Sequence, residues 1–279
     1  MSSNISRKAI LINAPSSGKR LLPGSISDVH NYKNFLLSNR GGAWDEPQIK
    51  VLNNPSKQQV LDLVHSTEVH YNSIYFSGHG GTTPMNERFI ELRDGFICDQ
   101  QLKNFSHGQM ITIDACGNYV SPSISGLIDF GPRFVNASGR NEAKERFDYH
   151  IANSLPGKII VHGAQLGQPA IDSANGGYFT QALLNIAVNM KSTENYCPVS
   201  IAEVIRYIPA YLKARKNNQI PSIYSIGNLN VPFVFAFPKT LNEIKQRVSP
   251  PAYNKVNNSN AGWAFLSLAA LTFIVANIK

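Results

Sequence analysis

The sequence has few cysteines and few charged residues. Its three cysteines among 279 residues, Cys98, Cys116 and Cys197, are an odd number without paired spacing. This excludes a disulfide framework and a zinc knuckle, and it favours a reducing compartment. Only 16% of the residues are charged, 43% are hydrophobic, and no low-complexity run is present, which excludes a mainly disordered chain. The length suits one large folded domain with an appendage.

Acidic residues are the scarcer charges, with 18 Asp and Glu against 26 Lys and Arg and a net charge of +8. A positive balance allows attraction to nucleic acid or to anionic lipid. The basic residues are scattered, however, and they do not alternate with aromatic residues as they do on a platform that stacks bases. The sequence therefore predicts no nucleic-acid partner.

The two termini differ in hydrophobicity. Met1–Lys8 lacks the apolar stretch of a secretory signal, so a cytoplasmic domain is expected over residues 1–240. Ala261–Ile278, after a linker at 241–260 that contains a Pro- and Asn-rich run, has 18 residues without a charge, just enough to span a bilayer. The segment is either a membrane tether or a helix docked on the protein's own surface, and membrane fractionation after deletion of Ala261–Lys279 distinguishes the two.

Short apolar runs predict the strands of a sheet that is buried on both faces. Stretches with helical periodicity separate most of these runs. This alternation predicts an α/β fold with a mainly parallel sheet flanked by helices. The runs are Lys8–Asn13, Ile49–Leu52, Ser73–Ser77, Met110–Ala115, Lys158–Val161 and Pro232–Phe237.

Capping and turn residues position the remaining elements. Asp94-Gly95 between two apolar runs predicts a hairpin of Phe89–Leu92 with Phe96–Asp99. The segment 121–156 lacks periodicity and is predicted to be an irregular connection. Helices are predicted at Asp28–Leu37, at Pro55–Val64 with Asn54 as N-cap, around Phe179–Met190, and after the capping box of Ser200 and Glu203.

Two predicted strands end in residues that suit nucleophilic catalysis. His79 follows one strand and Cys116 follows the next core strand. Because ligands bind at the carboxyl ends of parallel strands, neighbouring positions for these strands would bring a nucleophile and its general acid/base together. Gly80 and Gly117 would let a substrate carbonyl approach the backbone N–H groups of Gly80 and Cys116, which would form an oxyanion hole. No carboxylate partner for His79 is evident, so a Cys-His dyad is predicted.

The segments Ser77-Gly78-His79-Gly80-Gly81 and Asp114-Ala115-Cys116-Gly117 together resemble the caspase-like peptidases, on their metacaspase and paracaspase side. Similarity extends over about residues 5–240 and includes Gly176–Thr180, which resembles the second-subunit motif of that family. The resemblance implies a caspase-hemoglobinase fold with a mainly parallel six-stranded sheet. It also implies a cysteine endopeptidase that acts in regulated proteolysis, cell death or defence.

Metacaspases cleave after Arg or Lys and use an acidic pocket, and the resemblance places four residues of this chain there. These residues are Asp28, Ser77, Asp114 and, with a weaker match, Asp172. A preference for Asp would need arginines at these positions instead. Another interpretation of Asp28 is a helix N-cap, and Ser77 and Asp114 could satisfy backbone groups at the strand ends.

The chain departs from the metacaspase pattern in the loop after Cys116. Many metacaspases bind calcium through an acidic cluster there, whereas this loop offers mainly Asp129. No cofactor is therefore predicted, and calcium activation lacks an evident site. An alternative function is a caspase-like interaction module that binds partners at a membrane. Candidate positions for self-cleavage are Arg133, Arg140, Lys144 and Arg146.

Overall fold

A six-stranded sheet is the centre of the structure, a computed structural model that describes residues 5–15, 21–117 and 139–238. Its strands in chain order are β1 (Arg7–Ala14), β2 (Ile49–Asn53), β3 (Tyr71–Gly78), β7 (Gly108–Asp114), β8 (Gly157–His162) and β13 (Ser222–Gly227). The shorter strands are β4 (Gly80–Thr82), β5 (Arg88–Leu92), β6 (Gly95–Cys98), β9 (Asp172–Ser173), β10 (Gly176–Gly177), β11 (Lys191–Ser192), β12 (Cys197–Val199) and β14 (Val234–Pro238). The helices are α1 (Gly24–Leu37), α2 (Lys57–His65), α3 (Arg140–Ala152), α4 (Tyr178–Asn189), α5 (Ile201–Ile205) and α6 (Ile208–Lys213), with 3₁₀ turns at Glu46–Gln48 and Asp99–Leu102.

The sheet has the order β13-β8-β7-β3-β1-β2, with five parallel strands and an antiparallel β13 at one edge. This confirms the mainly parallel six-stranded α/β fold. One strand differs from the expectation, because Pro232–Phe237 contributes β14 to a separate small sheet with β11 and β12. The sixth strand of the main sheet is β13, whose residues are largely exposed, so it lacks the apolar run that marks the buried strands.

Successive side chains of the central strands face opposite sides of the sheet and pack into two cores. On one side, Leu11 and Tyr75 pack with residues of α1 and α4. On the other, Ile111 and Ile113 pack with α2 and with the hairpin of β5 and β6. Asp114 and Ala115, at the end of β7, therefore point toward different layers, which matters for the site below.

The predicted helices are found with shifted starts. The first begins at Gly24, four residues before the predicted start at Asp28. The second begins after Ser56, whose side chain accepts from the Gln59 N–H in a capping box, so Asn54 is not its N-cap. Ser200 accepts from the Glu203 N–H at 3.2 Å and caps α5 as predicted.

The hairpin is confirmed, with Gly95 at φ +137° in its turn, a conformation that glycine adopts without strain. The irregular connection predicted at 121–156 is partly wrong, because α3 occupies Arg140–Ala152. Arg140, Lys144 and Arg146 lie in this helix, where the backbone is paired internally and offers a poor site for self-cleavage. Arg133 lies outside the described residues.

The predicted linker and C-terminal apolar segment, 241–279, lie outside the described residues. Within the described ranges, none of the helices has the length and apolar character needed to cross a bilayer.

Candidate active site

His79 and Cys116 follow two adjacent parallel strands. β3 and β7 are paired, with Ser77 opposite Asp114, and each of the two predicted catalytic residues lies two positions beyond that pair. Both are half-buried at the carboxyl edge of the sheet. The structure therefore brings together the two strand ends that the sequence singled out.

Glycines let the backbone pack closely around this edge. A Cβ on Gly80 would lie 2.7 Å from the Phe89 carbonyl oxygen and 2.8 Å from the Cβ of Ala115. The Gly117 carbonyl accepts from Thr82 Oγ1 at 2.9 Å. The predicted oxyanion residues, Gly80 and Cys116, are thus on neighbouring segments with no room for a side chain at position 80.

The Cys116 thiol donates to the carbonyl oxygen of Ala170, with 3.5 Å between the sulfur and the oxygen. Burial raises the pKa of this thiol above its usual value, the charges of Asp114 and Asp172 add to the rise, and the Arg88 charge opposes it. A thiol with a raised pKa is mostly protonated at neutral pH. It needs a neighbouring base or cation to become a nucleophile.

Asp28 lies in the second turn of α1, so its interpretation as the helix N-cap is wrong. Its carboxylate accepts from the Ser77 hydroxyl at 2.7 Å and from the Gly177 N–H at 2.9 and 3.0 Å. Burial first, and then the nearby Asp114 charge, raise the pKa of Asp28 well above its usual value. The Asp28 side chain therefore belongs to a buried polar site between α1, β3 and the start of α4.

Asp114 belongs to the same site. It accepts from the Thr180 N–H at 3.1 Å and from the Thr180 hydroxyl at 2.7 Å, yet burial raises its pKa to about 6. Asp172, half-buried on β9, raises the pKa values of both Asp28 and Asp114 through its charge. Among the described residues, no lysine or arginine forms an ion pair with Asp28 or Asp114. Three carboxylates and the Ser77 hydroxyl, the four predicted pocket residues, are thus brought together.

A second polar group lies on the other side of Cys116 and was missed by the sequence reasoning. Arg88, Asp99 and His162 line a crevice with Cys116. His162 looks structural in the sequence, and its Nε2 lies 3.1 Å from Asp99 Oδ2 with both side chains buried. The sequence predicts the hairpin of Phe89–Leu92 with Phe96–Asp99 but not the role of Arg88, which comes near Cys116 only through tertiary packing.

Metal ligation finds no support in the parts of the chain that the structure covers, which contain no group of three or more His, Cys, Asp or Glu side chains arranged to hold an ion. Asp129, the one acidic residue noted in the loop after Cys116, lies outside those parts.

The chain is similar to caspases in sequence pattern and in fold. Its residues 6–230 match the sequence model of the caspase domain. Caspase-1 from Spodoptera frugiperda has a crystal structure with TM-score 0.52 and 14% identity, over 85% of this chain and 93% of that one. A Geobacter sulfurreducens protein of known structure gives TM-score 0.51 and 17% identity, over 82% and 98% of the two chains. No curated protein matches the sequence.

Identities this low show only a shared fold, which agrees with the sheet order described above. The match to the sequence model covers residues 6–230, most of the chain, and includes both strand ends that carry His79 and Cys116. The chain therefore belongs to the caspase family.

Proposed function

We propose that this caspase-family chain is a cysteine endopeptidase of the metacaspase type, which cleaves protein or peptide substrates after Arg or Lys in regulated proteolysis, cell death or defence. The observation that carries the proposal is the convergence of Asp28, Asp114 and Asp172 beside the strand end with Cys116. A site for Asp would need cations at these positions. Carboxylates attract a guanidinium or an ammonium instead.

The protonation behaviour of the pocket supports the same preference. Asp114 has a pKa raised to about 6 and Asp28 one raised well above normal, although N–H and O–H donors contact both. The donors therefore do not offset the cost of burying the charges. A substrate cation would supply the missing positive charge, and Asp172, the most exposed of the three carboxylates, is placed to meet it first.

The proposed reaction begins when His79 takes the proton of the Cys116 thiol and Sγ attacks the carbonyl carbon of the basic residue. The sulfur–carbon bond forms, and the carbonyl oxygen takes the negative charge toward the N–H groups of Gly80 and Cys116. The C–N bond then breaks as protonated His79 donates its proton to the leaving amine. Water, deprotonated by His79, then attacks the thioester carbon; the carbon–sulfur bond breaks, and His79 returns the proton to the sulfur.

Fluorogenic peptides that end in Arg, Lys or Asp test the proposal directly. We expect cleavage of the Arg and Lys peptides and a loss of about a thousandfold or more in Cys116→Ala, because the covalent route is removed. Cys197→Ala is the matched control, since Cys197 is another half-buried cysteine in a different sheet. Unchanged activity in Cys116→Ala would refute the nucleophile, and a preference for the Asp peptide would refute the acidic pocket.

A further inference from the structure

Arg88, the first residue of β5, has one terminal nitrogen bonded and the other not. Its Nη2 donates to the carbonyl oxygen of Ala164 at 2.5 Å. Its Nη1 is shielded from solvent and has no hydrogen-bond partner in the described part of the chain. A buried donor without a partner is unfavourable, so such a group is usually retained for a reason beyond packing.

The unpartnered nitrogen lies at the turn that carries Cys116. A Cβ built on Gly117 would be 2.6 Å from Arg88 Nη1, so only glycine allows this close approach. Arg88 and Cys116 also line the same crevice. The guanidinium therefore lies against the backbone at Gly117, the residue that follows the predicted nucleophile.

Asp99, bonded by His162, places a carboxylate charge near this guanidinium. Burial lowers the pKa of His162 and favours a neutral imidazole, which donates to the Asp99 carboxylate. Burial alone would raise the pKa of Asp99, but hydrogen bonds, above all that from His162, outweigh it and lower that pKa. The resulting carboxylate charge opposes the effect of burial on Arg88.

We propose that Arg88 stabilises the thiolate of Cys116 by its positive charge and is therefore a further functional residue of this site. The inference rests on the proposed function only in taking Cys116 as the nucleophile. Arg88 acts through the sulfur and does not need to touch the substrate. Protonation of the leaving group remains with His79.

Among the charged side chains that act on the Cys116 thiol, Arg88 differs in sign from its neighbours. Asp114 on β7 and Asp172 on β9 disfavour a thiolate, as does burial, and Arg88 on β5 favours it. His79 comes from the end of β3, and His162 on β8 is paired with Asp99 in the same crevice as Cys116. Removal of the Arg88 charge should therefore reduce the thiolate fraction even with His79 in place.

The test measures alkylation of the purified full chain by iodoacetamide from pH 6 to 10, with modification at Cys116 followed by mass spectrometry. We expect Arg88→Gln and Arg88→Met to slow the reaction at pH 7 by about three- to tenfold and to raise its pH midpoint. Arg88→Lys should stay close to the wild type because it keeps the charge. Arg93→Gln is the matched control, since it removes an exposed arginine from the same hairpin, and Cys197 is the internal reference.

Equal pH midpoints for Arg88→Gln and Arg93→Gln would overturn the inference. An Arg88→Lys variant that is alkylated as slowly as Arg88→Gln would also overturn it, because the shape of the guanidinium and not its charge would then determine the reactivity of Cys116. Circular dichroism checks folding, and Arg88→Met gives a second neutral side chain if Gln is not tolerated. Alkylation is independent of peptide cleavage, so a shifted midpoint without any peptidase activity would refute the proposed function and leave the role of Arg88 intact.

Discussion

The two sides of the sheet at the end of β7 differ in charge, since one holds a cluster of carboxylates and the other holds Arg88 together with Asp99. On the side of α1 and α4, the buried carboxylates of Asp28 and Asp114 accept hydrogen bonds from Gly177 and Thr180. On the side of β5, Arg88 keeps a buried nitrogen without a partner among the described residues. Hydrogen bonding is more complete on the acidic side, yet there the pKa values are strongly raised.

This difference indicates that hydrogen bonds and charge balance are separate requirements of a buried site. Neutral donors contact both Asp28 and Asp114 but do not cancel their charge. Cys116 lies between the two sides, and its thiol responds to both, since Asp114 raises its pKa and Arg88 lowers it. A cation bound on the acidic side would shift the balance toward the thiolate.

The largest expected effect comes from removing a charge on the acidic side. Asp114→Asn should lower kcat/KM for an Arg peptide by about a hundred- to a thousandfold, because the substrate cation loses a buried partner. The Asn side chain retains an oxygen that can accept from Thr180, so the local hydrogen bonds are largely kept. Steady-state kinetics on the fluorogenic Arg peptide measures this loss.

Asp62→Asn is the control for that measurement, because Asp62 is exposed on α2 and has a similar change of charge. A loss of less than about threefold in Asp114→Asn, near the scatter of surface substitutions, would mean that the acidic cluster does not bind the substrate. The difference between the two sides of the sheet would then affect the stability of the fold and not substrate binding.

Much of this site was predictable from sequence because its residues follow buried strands directly. Asp114 and Cys116 come at the end of an apolar run, and Ser77 and His79 come at the end of another. Parallel strands that are neighbours place such residues at one edge, so a local pattern predicts a tertiary arrangement. The sheet class followed from the same apolar runs.

The remaining features depend on contacts that no local pattern encodes. β13 is exposed and pairs at the sheet edge, so its sequence lacks the apolar run of a central strand. Arg88 reaches Cys116 because the hairpin folds over β7, and α3 is a largely polar helix with three buried residues. In each case tertiary packing outweighs the local signal.

A second, smaller effect concerns stability against pH. Asp114 has a pKa raised to about 6 from 3.8, so between these values the folded state binds more protons than the unfolded state. The free energy of unfolding therefore falls as pH rises from about 4 to 6, by up to about 3 kcal/mol from this residue. Asp114→Asn should remove that loss and become more stable than the wild type near pH 7.

Urea unfolding at several pH values measures this difference, with Asp62→Asn again as the control. The gap between Asp114→Asn and the wild type should widen as pH rises through 4 to 6, whereas the gap for Asp62→Asn should stay nearly constant. A difference in the free energy of unfolding between Asp114→Asn and the wild type that is constant over this range would show that burial does not raise the pKa of Asp114.

The smallest expected effect links the two sides through the sulfur. Methylguanidine carries the charged group of an arginine side chain without a peptide, and its binding at the acidic cluster would offset the Asp114 and Asp172 charges that raise the pKa of Cys116. We expect it to accelerate alkylation of Cys116 by iodoacetamide at pH 7 by about two- to fivefold. Methylurea, which is similar in shape but neutral, should have no effect, and Asp114→Asn should weaken the acceleration. An alkylation rate that responds equally to both compounds would show that a cation at the acidic cluster does not affect the ionisation of Cys116. The expected result would mean that a basic substrate promotes ionisation of the thiol that attacks it.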